Sequence, residues 1–287
     1  MATERQRRDV RASEPAPMRL TERDKQIIKA VCDFRVLRQD QLQTLFFPSK
    51  NTAQRALARL YHHGYLARLF WPVVTGSPPT LYVLDRKAVD MLKAEFGYND
   101  LRWFPTSRAL KGQFLEHTSA INDFRIAISF AAQKRGYTLA KWVNESQNKG
   151  DYDWVKIRTA SGFRKVSLIP DSYLILETPL GRGHFFLELD RGTMSTKRFQ
   201  AKIQAYLAYR ESGEYERRYK AKTVRVLTVT LGEKRLAHLK EVTEAAGGKS
   251  WFWFGVLSQL DVEHVLSAPV WQKAGQDGFY TLVEPLA

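Results

Sequence analysis

Apolar positions recur with a helical period along the first third of the chain. In "LTERDKQIIKAVCDF" (20–34), Ile27, Ile28 and Val31 take that spacing behind Thr21, a polar residue suited to cap a helix. "RQDQLQTLFF" (38–47) predicts a second, shorter helix closed by Pro48. "SKNTAQRALARLYHHGYL" (49–66) predicts a third, capped by Ser49 or Asn51, with core positions Ala53, Leu57 and Leu60 and a stop at Gly64. Two strand-like runs follow, "LARLFW" and "PTLYVL", joined by the turn-rich "PVVTGSPP". Three helices followed by a hairpin is the order of a winged helix-turn-helix, here over residues 20–97 with a closing helix in "DRKAVDMLKAEFG".

The remaining two thirds alternate differently. Residues 98–112 are irregular and proline-containing and predict a linker, and residues 1–19 are polar, arginine-rich and predict a flexible basic arm. A long helix is expected in "QFLEHTSAINDFRIAISFAAQKRG", with Phe114, His117, Ile121, Phe124 and Ile128 on one stripe. His117 on that stripe reads as a core histidine, and Asn122 and Arg125 as ties from helix to sheet. Strands are predicted in "TLAKWVNE", "FRKVSLIPDSYLIL", "HFFLELD", "TVRVLTVT" and "SWFWFGVL", with helices in "TKRFQAKIQAYLAYR" and "EKRLAHLKEVTEAAG". Residues 113–287 therefore form an α/β domain around a central mixed sheet.

Strand alternation in "HFFLELD" sets Phe185, Leu187 and Leu189 on one face and Phe186, Glu188 and Asp190 on the other. Two carboxylates among apolar neighbours need partners, hydrogen bonds or a metal, because an isolated buried charge is costly.

Composition narrows the class of partner. The formal charge is +15 and 12% of the 287 residues are aromatic. Such a balance favours a polyanion, with nucleic acid ahead of acidic lipid. Between Asp40 and Asp85 there is no acidic residue, while Lys50, Arg55, Arg59 and Arg68 lie inside that gap. A surface facing phosphates excludes carboxylates, so the third helix and the wing are expected on double-stranded DNA through Lys50, Asn51, Thr52, Gln54, Arg55, Arg59 and Arg68. A homodimer is compatible with the paired half-sites such domains often read. One cysteine, Cys32, excludes a disulfide framework and a multi-cysteine zinc site, and no apolar run approaches a membrane span. The expected compartment is the cytoplasm.

The order helix–strand–strand–strand–helix–strand, with "IPDSYL" on one strand and "FLELD" on the next, resembles the PD-(D/E)xK nuclease-like core. That resemblance implies Asp171 and Glu188 as ligands of Mg²⁺ (or Mn²⁺), with Glu116 as a further acidic ligand from the preceding helix. Where the motif expects lysine, the chain has Asp190. Three alternatives stand: a lysine recruited from the next helix, for which Lys202 is the candidate; Asp190 as a third ligand; or a degenerate site whose carboxylates pair with Arg191 or Lys197 or cap the helix. "LEHTSAINDFRIAI", "PDSYLIL", "FFLELDRGT…KIQAY" and "RVLTVT", behind a winged helix, further resemble the replication-relaxation family of plasmids and other mobile elements. The resemblance implies DNA engagement, as a metal-dependent endonuclease or nickase. The competing reading is a winged-helix transcriptional or replication regulator whose nuclease-like domain serves dimerisation or docking.

Overall fold

The computed structural model describes residues 8–70, 79–98, 101, 112–150, 152–159 and 162–283, without the side chains of 148, 149, 158 and 159. The chain divides into two compact units, Met1–Asp123 and Phe124–Ala287. The division falls inside one helix, and most of the 98–112 stretch expected to be a linker lies outside the described residues.

The first unit opens with α1 (Glu22–Phe34), whose Thr21 and Asp24 form a reciprocal capping box that satisfies orphan amides at its start. A two-residue strand β1 (Leu37–Arg38) leads into α2 (Gln39–Phe46), and α3 (Lys50–His62) follows behind its Ser49 cap. Strands β2 (Leu66–Phe70) and β3 (Thr80–Leu84) pair antiparallel, and β1 joins the far side of β3, giving the order β1–β3–β2. The sequence pattern does not disclose β1, since two residues carry no period. The "PVVTGSPP" turn lies outside the described residues. α4 (Arg86–Phe96) ends at Gly97, which takes the left-handed conformation that glycine adopts without steric cost.

Residues 8–19 carry no helix or strand, and side chains among them dock on the first unit. Arg11 donates to the Leu66 carbonyl (3.0 Å), pairs with Asp85 and stacks on Tyr61. The Ala12 amide donates to His62 Nδ1 (3.0 Å). The flat guanidinium of Arg11 suits both an aromatic face and a carboxylate.

Helix α5 (Gly112–Lys134) runs through the division between units. In its first half Asp123 accepts both Nη atoms of Arg38 (2.9 and 2.7 Å) and Gln41 Nε2 (2.8 Å). Asn122 donates to the Val36 carbonyl (2.6 Å), so it ties the helix to the α1–β1 connection rather than to a central sheet.

In the second unit β4 (Thr138–Asn144) leads to the short α6 (Glu145–Gly150). The predicted single strand over 163–176 is two: β6 (Gly162–Leu168), paired in a separate hairpin with β5 (Asp153–Thr159), and β7 (Ser172–Thr178). Pro170, which cannot donate to a ladder, sits between them. β8 (Gly181–Asp190) leads to α7 (Thr196–Glu211), α8 (Glu214–Tyr219), β9 (Arg225–Thr230), α9 (Glu233–Ala245) and β10 (Phe252–Val256). The tail adds two strands without a sequence signal, β11 (Trp271–Lys273) and β12 (Gln276–Tyr280).

The result is a seven-stranded sheet ordered β12–β11–β10–β9–β8–β7–β4, parallel along β8–β9–β10 and antiparallel elsewhere. One face carries α7 and α9: Phe199, Ile203, Tyr206, Leu236 and Leu239 pack with Phe186, Val226, Phe252 and Phe254. In the WFWF run Phe252 and Phe254 are fully buried and Trp253 is buried, while Trp251 is partly buried against the core. On α5, Phe124 meets Trp271 edge-on at 6.3 Å and Trp142 at 6.4 Å. No helix among the described residues is long and apolar enough to cross a membrane.

Candidate active centre

Sheet register brings the "IPD" and "FLELD" stretches together. Ser172 pairs with Leu187 across β7 and β8, so Asp171 and Glu188 are the next residues in the row, and the Asp171 amide donates to the Leu187 carbonyl (3.1 Å). The Leu189 amide returns a hydrogen bond to Asp171 Oδ2 (2.8 Å), which fixes that carboxylate at the strand end. Asn144 pairs with Ser172 from the other side, placing Glu145 at the start of α6 in line with Asp171 and Glu188.

Glu188 points to the α7 face, as the alternation predicts, and is 4% exposed. α7 supplies its partners at one helical turn's spacing: Lys202 Nζ pairs with Oε2 and the Tyr206 hydroxyl donates to Oε1. Burial pushes the Glu188 carboxyl up to about 7; the neighbouring Asp171 charge adds to this, and Lys202 pulls against it. Burial acts to lower Lys202, but Glu188 first, then Asp171 and the more distant Glu145, together hold the ammonium above its usual range. Tyr206, buried beside this negative charge, is raised far above a free phenol and stays a donor. Of the residues singled out from sequence, Asp171, Glu188 and Lys202 thus meet. Tyr206 and Glu145 were missed in this role; the i, i+4 spacing of Lys202 and Tyr206 was the available signal for the former.

Asp190 shares the face of Glu188 but is engaged elsewhere. Arg235 of α9 holds it with two nitrogens, Nε to Oδ1 (3.0 Å) and Nη2 to Oδ2 (2.9 Å), and the Gly192 amide adds a third bond (2.5 Å). Arg235 also donates to the Met194 carbonyl (2.6 Å), closing the β8–α7 turn. The arginine that holds Asp190, Arg235, lies 45 residues away in sequence.

Glu116 is half-buried on the part of α5 that belongs to the first unit, whereas Asp171 and Glu188 belong to the second. Among the described residues no three His, Cys, Asp or Glu side chains converge as a metal-holding group. The donor chemistry at Asp171 and Glu188 nonetheless suits a hard divalent cation that keeps most of its waters. Thr228 Oγ1, opposite Glu188 on β9, is buried and has no hydrogen-bond partner, a polar atom suited to a site water.

In the first unit Lys50, Asn51, Thr52, Gln54 and Arg55 of α3 are all exposed. Thr52 turns its hydroxyl onto the Ser49 carbonyl (2.8 Å). Arg59 is not part of a merely solvated face: its Nη2 donates to both oxygens of Asp24 (3.0 and 2.8 Å), a carboxylate 1% exposed. Arg68 lies over Tyr61, 4.3 Å from the ring centre, and donates to the Arg8 carbonyl (3.2 Å).

Comparison with known proteins bears on the whole arrangement. A search of curated protein sequences gives no match. Among solved structures, the restriction endonuclease FokI aligns with a TM-score of 0.29 and 10% identity, over 83% of this chain and 42% of that one. A likeness of that size carries no argument about fold or activity. A family model described as replication-relaxation matches residues 28–225, from the middle of α1 to the first residue of β9. That span takes in the α3 face, Asp171, Glu188, Asp190 and Lys202 and exceeds half of the chain: the protein belongs to the replication-relaxation family.

Proposed function

We propose that the protein is a DNA-processing enzyme of a mobile genetic element, a metal-dependent endonuclease or nickase with a PD-(D/E)xK-like centre. The observation that carries this is the meeting of Asp171, Glu188 and Lys202 at adjoining strand ends and one helix. The order of β1, α2, α3, β2 and β3 supports reading the first unit as a winged helix-turn-helix that engages duplex DNA through Lys50, Asn51, Gln54 and Arg55. Arg59 and Arg68 serve the fold of that unit in this reading, since each already has an internal partner.

Asp171 and Glu188 are the residues to hold Mg²⁺ or Mn²⁺, which when bound polarises a phosphate oxygen and lowers the pKa of water. Lys202 takes the place of the motif lysine that Asp190 vacates: its ammonium is positioned to stabilise charge developing on a phosphate oxygen. Tyr206 orients Glu188, and Asp190 with Arg235 fixes the turn from which α7 starts.

A plasmid assay tests the reading. Supercoiled DNA is expected to give open-circular product with Mg²⁺ or Mn²⁺ and none with EDTA. Asp171→Ala should lose nicking at least 100-fold while duplex binding in EDTA stays within about threefold, a loss of the size expected when a ligand to the reactive centre is removed. Equal nicking by the variant, or nicking in EDTA, overturns it. One observation favours the regulator reading: both Glu188 oxygens are already engaged, by Lys202 and by Tyr206. On that reading Asp171→Ala changes stability or assembly and leaves DNA binding as it was.

A further inference from the structure

The β5–β6 hairpin stands apart from the seven-stranded sheet as a two-stranded ribbon. Its two faces differ sharply. Val155, Ile157 and Leu168 are buried in the core that includes Tyr206 and Tyr209 of α7. The opposite face carries Trp154 and Lys156 from β5, and Phe163, Lys165 and Ser167 from β6. Trp154 is 46% and Phe163 76% exposed, the latter the most exposed of the large apolar side chains described. Burial energy does not explain rings left in water.

The lysines raise the same question. Lys156 and Lys165 are register partners, so two ammonium groups face each other directly across the strands. Like charges in that position destabilise a pair of strands. Among the described residues no carboxylate pairs with either, and Lys165 instead lies over the Trp154 ring at 4.9 Å. An anion lying along this face would relieve the repulsion, and flat apolar groups would cover the rings. A nucleic-acid strand with unpaired bases brings both in one ligand, since phosphates meet the lysines and bases stack on the rings.

The ribbon is also anchored at the centre. Leu168 ends β6 three positions before Asp171. Tyr209, one turn beyond the Tyr206 that holds Glu188, donates to Asp153 at the root of β5, and Arg218 pairs with the same carboxylate (2.9 Å). From that root seven residues per strand reach roughly 23 Å.

The geometry points to this ribbon as a grip for single-stranded DNA, holding an unpaired strand beside the Asp171–Glu188 pair. Phosphate contact alone would not call for Trp154 and Phe163 in the open, which is why an unpaired strand is preferred to duplex. The inference rests on DNA as the partner, and it adds which strand form and which surface.

Binding is measured with full-length protein in EDTA, by fluorescence anisotropy of a labelled oligo(dT) and of a duplex of equal length. The double change Lys156→Glu, Lys165→Glu, at exposed positions, is expected to weaken oligo(dT) binding at least tenfold and flatten its salt dependence by about 0.7 per lost contact. Duplex affinity should stay within threefold. Oligo(dT) should quench the emission of Trp154, and Trp154→Ala should remove that quench while keeping the far-ultraviolet circular dichroism of the parent. Unchanged oligo(dT) affinity in the double variant overturns the inference and leaves the centre as proposed. Equal weakening of both DNA forms also overturns it, making the ribbon a duplex grip. Failure of the parent to bind either form removes the DNA reading itself, a result distinct from both.

Discussion

Glu188 and Asp190 lie two residues apart on one face of β8, each 4% exposed, yet their surroundings treat them in opposite ways. Asp190 has a planar guanidinium matched to both its oxygens, plus a backbone amide. Glu188 has an ammonium and a phenol, each on a single oxygen, with a second carboxylate close by. A bidentate arginine locks a carboxylate's orientation, whereas a lysine on a flexible stem leaves it adjustable. Equal burial therefore conceals unequal partner chemistry: Asp190 is held by a matched guanidinium, while burial pushes the Glu188 carboxyl up to about 7.

The largest test of that contrast is Arg235→Ala. It leaves Asp190 as an unpaired buried charge and should cost about 3–5 kcal/mol in urea unfolding, the usual size for breaking a buried pair from one side. A loss below 1 kcal/mol would mean Asp190 is not held in this way. Next in size, Tyr206→Phe removes one donor from a buried carboxylate and should cost about 1.5–3 kcal/mol, with a further rise in the pH at which Glu188 ionises. The most gradual effect is on pH dependence in metal-free buffer. Between the ordinary value of 4.5 and about 7, folded Glu188 retains a proton that the unfolded chain has released, so stability should fall as pH rises through that window. The slope is at most about 1.4 kcal/mol per pH unit, and Glu188→Gln should abolish it. A slope that survives in Glu188→Gln assigns the titration to another group.

Much of this was legible in the chain itself. The α/β order of the second unit and the facing of Glu188 and Asp190 follow from strand and helix period, whereas the grouping of Asp171, Glu188 and Lys202 was implied by the resemblance to the PD-(D/E)xK core. What escaped did so for identifiable reasons. Arg235 approaches from α9, and no local pattern encodes a partner 45 residues away. Arg59's carboxylate, Asp24, lies 35 residues earlier, outside the acid-free gap, so the local pattern does not disclose the pair. The strand read through 163–176 hid two elements, because continuous apolar alternation outweighed the proline between them. β1 and β11 are two and three residues long, too short for a period to register, and β12 (QDGFY) carries no apolar alternation.

The hydrogen bond from the Leu189 amide to Asp171 has a spectroscopic consequence. An amide proton held by a carboxylate resonates downfield and moves when that carboxylate gains a proton or a cation. Leu189 is therefore a native sensor inside β8: its cross-peak in a ¹⁵N correlation spectrum reports the state of Asp171 without any label at the centre. Following that single peak during a magnesium titration would read occupancy one residue away from the carboxylate whose role is at issue.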